Sequence, residues 1–250
     1  MRAVGLELSK LRRRRLWLTV LLVLGFELAW IIAILLVSLS RETAVPLEMG
    51  RAISQASQVH AIFAPILVTV LVSRLSAMEH DGNMMPVLFA ANQSHSSLFL
   101  AKFAVAAVIS TVATMVVVTS VGVVAAGRSV PADPGLVGVW LLGLVLANLA
   151  VVAIQLVLAL LFQRQAVTLT VGVVGGLIGS FSGFVPTAVA VFVPWQYPGL
   201  VTPVRIAQTG GTITGFPLVE HLGVLIALVA VVGVACTVAG QAVFIRQVSK

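Results

Sequence analysis

Charge is scarce in this chain, and lysine, tyrosine and cysteine are scarcer still. Only 9% of its residues are charged while 60% are hydrophobic; an ordinary soluble domain carries about 25% charged residues. So large an apolar surface cannot be hidden in one core of 250 residues, and lipid must solvate much of it. The single cysteine, Cys236, excludes an internal disulfide. Three lysines are present, Lys10, Lys102 and Lys250, and none follows a glycine. The chain therefore lacks the Gly-Lys-Ser/Thr loop that cradles phosphate, and it is not an ATPase of that kind. Its four histidines, His60, His80, His95 and His221, are scattered without ligand spacing, so no metal is expected.

The cations that are present lie where topology needs them. Arg2, Lys10 and Arg12 to Arg15 precede the first apolar run and supply six of the fifteen Lys and Arg. That distribution fits the positive-inside rule and anionic lipid, and argues against nucleic acid. The run from Leu16 to Leu39 is longer than the roughly 7–15 apolar residues of a signal peptide and lacks a small-x-small cleavage site. It is expected to remain as a span.

Apolar runs predict an all-α integral membrane protein with six spans, at about 16–39, 59–76, 95–126, 135–162, 167–193 and 218–244. With six spans, eleven Lys and Arg fall on the side of the two termini, and four (Arg41, Arg51, Arg128 and Arg205) on the other. Both termini are thus expected in the cytoplasm. Residues 2–15 are amphipathic enough to lie along that face. Residues 40–58 read as an outer loop. The Gly/Thr/Pro-rich but apolar stretch 194–217 reads as an external segment that re-enters the outer leaflet, with Trp195 and Tyr197 in the aromatic belt.

Few residues inside the spans are polar. Glu27, near the middle of the first, costs about 2.5–3.5 kcal/mol on insertion scales, and must face protein or a wet cavity. It is either functional or a neutral carboxyl bonded to a neighbouring helix. His60 reads as a bonded residue near the outer end of the second span. Asn148 and Gln155, seven apart on the fourth, share a face and can bond across helices. Gly175, Gly179 and Gly183 repeat every four positions, a spacing that lets helix backbones approach closely. Ser182 and His221 could form a protease dyad across two spans, but Ser180 stands where a rhomboid-type motif carries glycine.

The long break from Ser73 to Lys102 is far more than a hairpin needs. Glu79, His80, Asp81 and Gly82 make a polar elbow, and Met84, Met85, Leu88 and Phe89 pair at helical spacing. Such a segment can lie along the membrane surface and offer Met and Phe to a partner protein. Glu79-x-x-Gly82-Asn83, then Leu88 and Lys102, resemble the cytoplasmic loop of ABC-2-type permeases. With Gly172-Val173-Val174-Gly175 and Pro194-Trp195-Gln196-Tyr197-Pro198, the pattern is similar to the lantibiotic-protection subfamily of these permeases. Positions 92–95, Asn-Gln-Ser-His, depart from the Pro-plus-basic pattern frequent in that family.

The resemblance implies a type V ABC exporter-like permease in the bacterial plasma membrane, with ATP bound by a separate ATPase subunit. Residues 2–15 would be an elbow helix and 79–89 the coupling helix. Glu79, Asp81, Gly82, Met84, Met85, Leu88 and Phe89 would contact the ATPase. A second permease, identical or a sister subunit, would pack across the glycine face. Glu27 and Asn148 would face the substrate cavity, which would take an antibacterial peptide or other amphipath. Export of lipid, drug or polysaccharide stands as an alternative, as does a non-transporting membrane sensor or scaffold.

Overall fold

The computed structural model describes residues 16–40, 48–80, 95–162, 164–181 and 185–248. The long helices are α1 (Leu16–Ser40), α2 (Met49–His80), α3 (His95–Ala126) and α4 (Pro134–Leu161). A shorter α5 (Gln165–Ser180) follows, then α6 (Thr187–Ala190), a 3-10 turn at Pro194–Gln196 and α7 (Tyr197–Leu200). An antiparallel hairpin, β1 (Ala207–Thr209) and β2 (Thr212–Gly215), leads into the last helix, α8 (Leu222–Val248). Five of these helices, α1 to α4 and α8, are long and apolar enough to cross a membrane.

α2 is the axis of the bundle. It packs against α1, α3, α4 and α5, while α8 lies against α4 on the far side. Helices with one protein-facing stripe, α1 and α8, turn the rest of their surface outward: Leu18, Leu22 and Phe26 on α1, and Val224, Val231 and Val238 on α8, are exposed. That is the surface lipid covers. The buried side chains form two clusters stacked along the bundle. One gathers Ile31, Ile53, Val117, Trp140 and Tyr197; the other gathers Leu16, Leu71, Phe99, Leu156 and Phe244. Leu16 and Phe244 belong to the same cluster, so the two ends of the described chain meet at one end of the bundle. Gln241 Nε2 donates to Ser96 Oγ there, tying α8 to the first turn of α3.

Local chemistry explains the element ends. Asp133 caps α4 by accepting from the Leu136 N–H at 2.9 Å, with Pro134 at the first helical position where no donor is needed. The hairpin turns on Gly210 and Gly211, both at positive φ (59° and 81°), a conformation that favours glycine.

Several expectations are corrected. Residues 49–58 are not loop; they are the opening turns of α2, and Ala52, Ile53 and Ala56 there are buried. Their polar neighbours Arg51, Ser54 and Ser57 are buried as well, because this helix faces protein on most sides. The single long helix expected over about 167–193 stops at Ser180. At 16 residues α5 spans about 24 Å, short of the ~30 Å hydrocarbon core. One of its last carbonyls, Ile178 O, accepts from both the Phe181 N–H and Gln196 Nε2. Within the stretch 194–217, Tyr197, Leu200 and Val201 are buried against α2 and α4, and the hairpin beyond them is largely exposed. Tyr197, expected in an aromatic belt, is 1% exposed and donates its hydroxyl to Val191 O at 2.9 Å. Trp195 lies against α5 and is half-buried.

Candidate functional site

The membrane-buried polar residues of four helices converge on one point. Glu27 on α1 and His60 on α2 approach to 2.6 Å, Oε1 to Nδ1, with the residues 1% and 3% exposed. On the other side of the imidazole, Nε2 lies 3.5 Å from Asn148 Nδ2 on α4. The same Asn148 nitrogen donates to Thr114 Oγ1 on α3 at 2.8 Å, and that hydroxyl donates to Ser110 O at 2.9 Å. On α1, α2 and α3 this network falls between the fully buried residues of the two apolar clusters, and on α4 Asn148 lies three residues before the second begins. A polar group so placed has no water to fall back on, and its partners must come from other helices. The arrangement therefore pins α1, α3 and α4 to α2 at mid-height.

His60 was expected near the outer end of a span. Because α2 begins at Met49, His60 sits about 16 Å along its axis, inside the bundle. The sequence gives no spacing that pairs residues 27, 60, 114 and 148; the rarity of polar groups in their spans marks Glu27 and Asn148, whereas Thr114 was missed because its helix carries several hydroxyls. Gln155, expected to bond across helices beside Asn148, is fully buried with both amide atoms unpaired among the described residues.

Glu27 and Asn148, expected in a substrate cavity, do not line the groove that opens beside them. This groove, of about 690 Å³, runs between α1 and the first half of α2. Phe26, Trp30, Ile34 and Val37 form its apolar wall, with Ile213 of the hairpin reaching its edge. Ser38, Arg51 and Gln55 give it a polar end. Arg51 is held in place there: its Nε donates to Ser38 Oγ at 3.2 Å and an Nη to Ser38 O at 2.5 Å. The rings of Phe26, Trp30 and Phe63 contact one another with centroids 5.7–6.2 Å apart. Two of the three, Phe26 and Trp30, belong to both the groove wall and the helix turn that carries Glu27.

The glycine face of α5 is occupied within the chain. A Cβ on Gly176 would lie 2.7 Å from Ile62 O, and one on Gly179 would lie 2.8 Å from Ala61 O. Ala61 O is the carbonyl that Pro65, lacking an N–H, leaves without its helical donor. Glycine thus lets α5 close over a defect in α2, where Cα–H···O contacts become possible. Gly175 meets the Trp195 ring, and Gly172 meets Thr69. The contact between two permeases expected at Gly175 and Gly179 is corrected accordingly, since this face is filled by α2 and Trp195 of the same chain. Gly183 lies outside the described residues, as does Ser182.

At the other end of the bundle, Lys102 is fully buried and donates to Leu75 O at 2.7 Å, joining the last turns of α2 to the first of α3. A cation suits the carbonyl end of a helix. These turns are the two stems of the expected coupling segment. Glu79 falls in the last turn of α2, which continues through His80; Asp81, Gly82, Met84, Met85, Leu88 and Phe89 lie outside the described residues, as does the expected elbow helix over 2–15. Among the described residues no group of His, Cys, Asp and Glu could hold a metal ion.

No curated protein matches the chain. The model of a family described as ABC-2 family transporter protein does match it, over residues 3–179. That stretch contains the four-helix network, both stems of the coupling segment and the α2–α5 contact. With five long apolar helices around a common axis and the greater part of its length matched, the chain is a multi-pass membrane protein that belongs to the ABC-2 family of transporter proteins.

Proposed function

We propose that this chain is the permease subunit of an ATP-driven exporter that clears an amphipathic antibacterial peptide, lantibiotic-like in chemistry, from the bacterial plasma membrane. The observation that carries the reading is the groove between α1 and α2. Its wall is apolar and aromatic, its far end is polar, and it opens on the side of a helix whose other residues face lipid. A molecule with an apolar face and a polar end, already partitioned into the bilayer, fits such an opening; a polysaccharide chain does not. Lipid or hydrophobic drug export is the second reading, and the same groove chemistry supports it.

On this proposal the chain carries out no catalysis. A separate ATPase hydrolyses ATP and moves the permease through residues 79–89, with Lys102 bracing the stems of that segment. α5 completes a sixth pass, short because the bundle's cap, α6 to α7, takes over where it ends; both termini then face the cytoplasm. Two permeases, identical or sister subunits, assemble across the lipid-facing surfaces of α1 and its neighbours, and closure of the ATPase pair switches the groove between inward and outward exposure.

The test is co-purification with the partner ATPase, followed by ATPase stimulation in proteoliposomes across a panel of peptides, phospholipids and drugs. Stimulation by amphipathic peptides, lost in Ile34→Trp with the complex intact, supports the proposal. Stimulation by phospholipid alone favours the second reading. Unchanged co-purification and unchanged export in Glu79→Arg/Met85→Asp refutes docking through residues 79–89.

A further inference from the structure

We propose that Glu27, His60 and Asn148 form a reversible proton-binding site within the bundle, in which His60 Nε2 takes up the proton and the Asn148 amide turns over to receive it. The geometry fixes where protons can sit. A 2.6 Å approach of Nδ1 to a carboxylate oxygen needs one proton between them. With Nδ1–H donating to an ionised Glu27, Nε2 is bare and accepts from Asn148 Nδ2. The site then carries a net charge of −1 in the middle of the bundle, which a bilayer disfavours.

Adding one proton from water removes that charge. Whether the result is written as carboxylate with imidazolium or as carboxylic acid with neutral imidazole, Nε2 now bears a hydrogen. It then faces the Asn148 NH₂, donor against donor, and that contact is no longer favourable. The remedy is already present. Asn148 Oδ1 is buried without a partner in a residue 3% exposed. Turning the amide over brings Oδ1 to Nε2–H, and the Thr114 hydroxyl can donate to the same oxygen by giving up its bond to Ser110 O. Each arrangement leaves one amide atom unpaired, and the turned-over one also gives up the Thr114–Ser110 bond, so hydrogen bonding favours the unturned amide until the added proton sets donor against donor. The net charge decides between them.

No other described charge faces the site. Glu27 is the one charged residue of α1, and α4 and α5 have none within their helices. Along α2 the nearest is Arg51, about 13 Å away by helix rise; along α3 it is Lys102, about 18 Å from Thr114. α8, packed on α4, bears only Arg246, near its far end. The pair therefore answers to its own proton count.

This inference does not depend on what is exported. The test uses the full chain in lipid nanodiscs with His80, His95 and His221 replaced by Gln, so that His60 is the one imidazole. Ring-nitrogen NMR is recorded between about pH 8 and pH 5, the range in which histidine changes charge. The expected result is that Nε2 passes from bare to protonated while Nδ1 keeps its proton or hydrogen bond, with the Asn148 amide signals changing at the same pH. In Glu27→Gln on that background, the Nε2 change is lost over the same range, because an imidazolium there has no counter-charge. An Nε2 that never changes overturns the proposal without recourse to any variant of the site, as does a Glu27→Gln protein that titrates like its parent. A change at Nε2 with Asn148 silent overturns the role given to the amide.

Discussion

Replacing Gly179 by alanine tests the close contact of α5 with α2 by adding one methyl group. That carbon would stand 2.8 Å from Ala61 O and 2.5 Å from Trp195 O. Ordinary carbon–oxygen separations in such contacts are about 3.3–3.6 Å, so α5 must withdraw by roughly 0.5–0.8 Å from Ala61 O and by roughly 0.8–1.1 Å from Trp195 O. Both obstacles are backbone carbonyls and cannot rotate aside. A radial gap of about 0.5–1 Å forfeits a quarter to a half of the dispersion energy across the contact, and overpacking of this kind costs about 1–3 kcal/mol. The gain in helix propensity from Gly to Ala, about 1 kcal/mol at most, works the other way. Gly122→Ala on α3 is the matched control, because nothing lies within 4 Å of its added carbon. Gly179→Ala should therefore be less stable than Gly122→Ala by about 2 kcal/mol, read as a melting midpoint in detergent, where a chain of this size shifts about 2–4 °C per kcal/mol. Equal midpoints for the two variants would refute the account of how α5 docks.

Two further outcomes follow from the fold. Glu27→Leu and His60→Leu should each destabilise the bundle by stranding a buried polar partner, whereas the double variant should recover much of the loss. A thermal double-variant cycle should give a coupling of about 1–2 kcal/mol, the upper range for interhelical polar pairs in bilayers; an additive cycle would mean that the 2.6 Å contact holds nothing together. Asp133→Ala should cost about 0.5–2 kcal/mol through loss of the α4 cap, while Asp133→Asn, which keeps the accepting oxygen, should melt close to the parent.

Composition and the order of apolar runs were enough to establish that this is a helical membrane protein, because no soluble core could absorb its hydrophobic residues. α1, α3, α4 and α8 occupy the stretches read as the first, third, fourth and sixth spans, since lipid-facing helices must be apolar along their length. α2 was legible only in part: it faces protein, so its first turns tolerate Arg51, Ser54, Gln55 and Ser57, and polarity there disguised helix as loop. The glycine repeat declared close packing, but a spacing of four cannot say against what. The answer depended on Pro65, more than a hundred residues away, whose missing N–H leaves a carbonyl that only glycine can approach. In the same way, Glu27, His60 and Asn148 each announced themselves as polar groups in apolar surroundings, while Thr114, one of several hydroxyls on its helix, did not. Periodicity fixes the face of one helix, whereas the register between helices comes from packing, and only the folded bundle brought those four residues to one point.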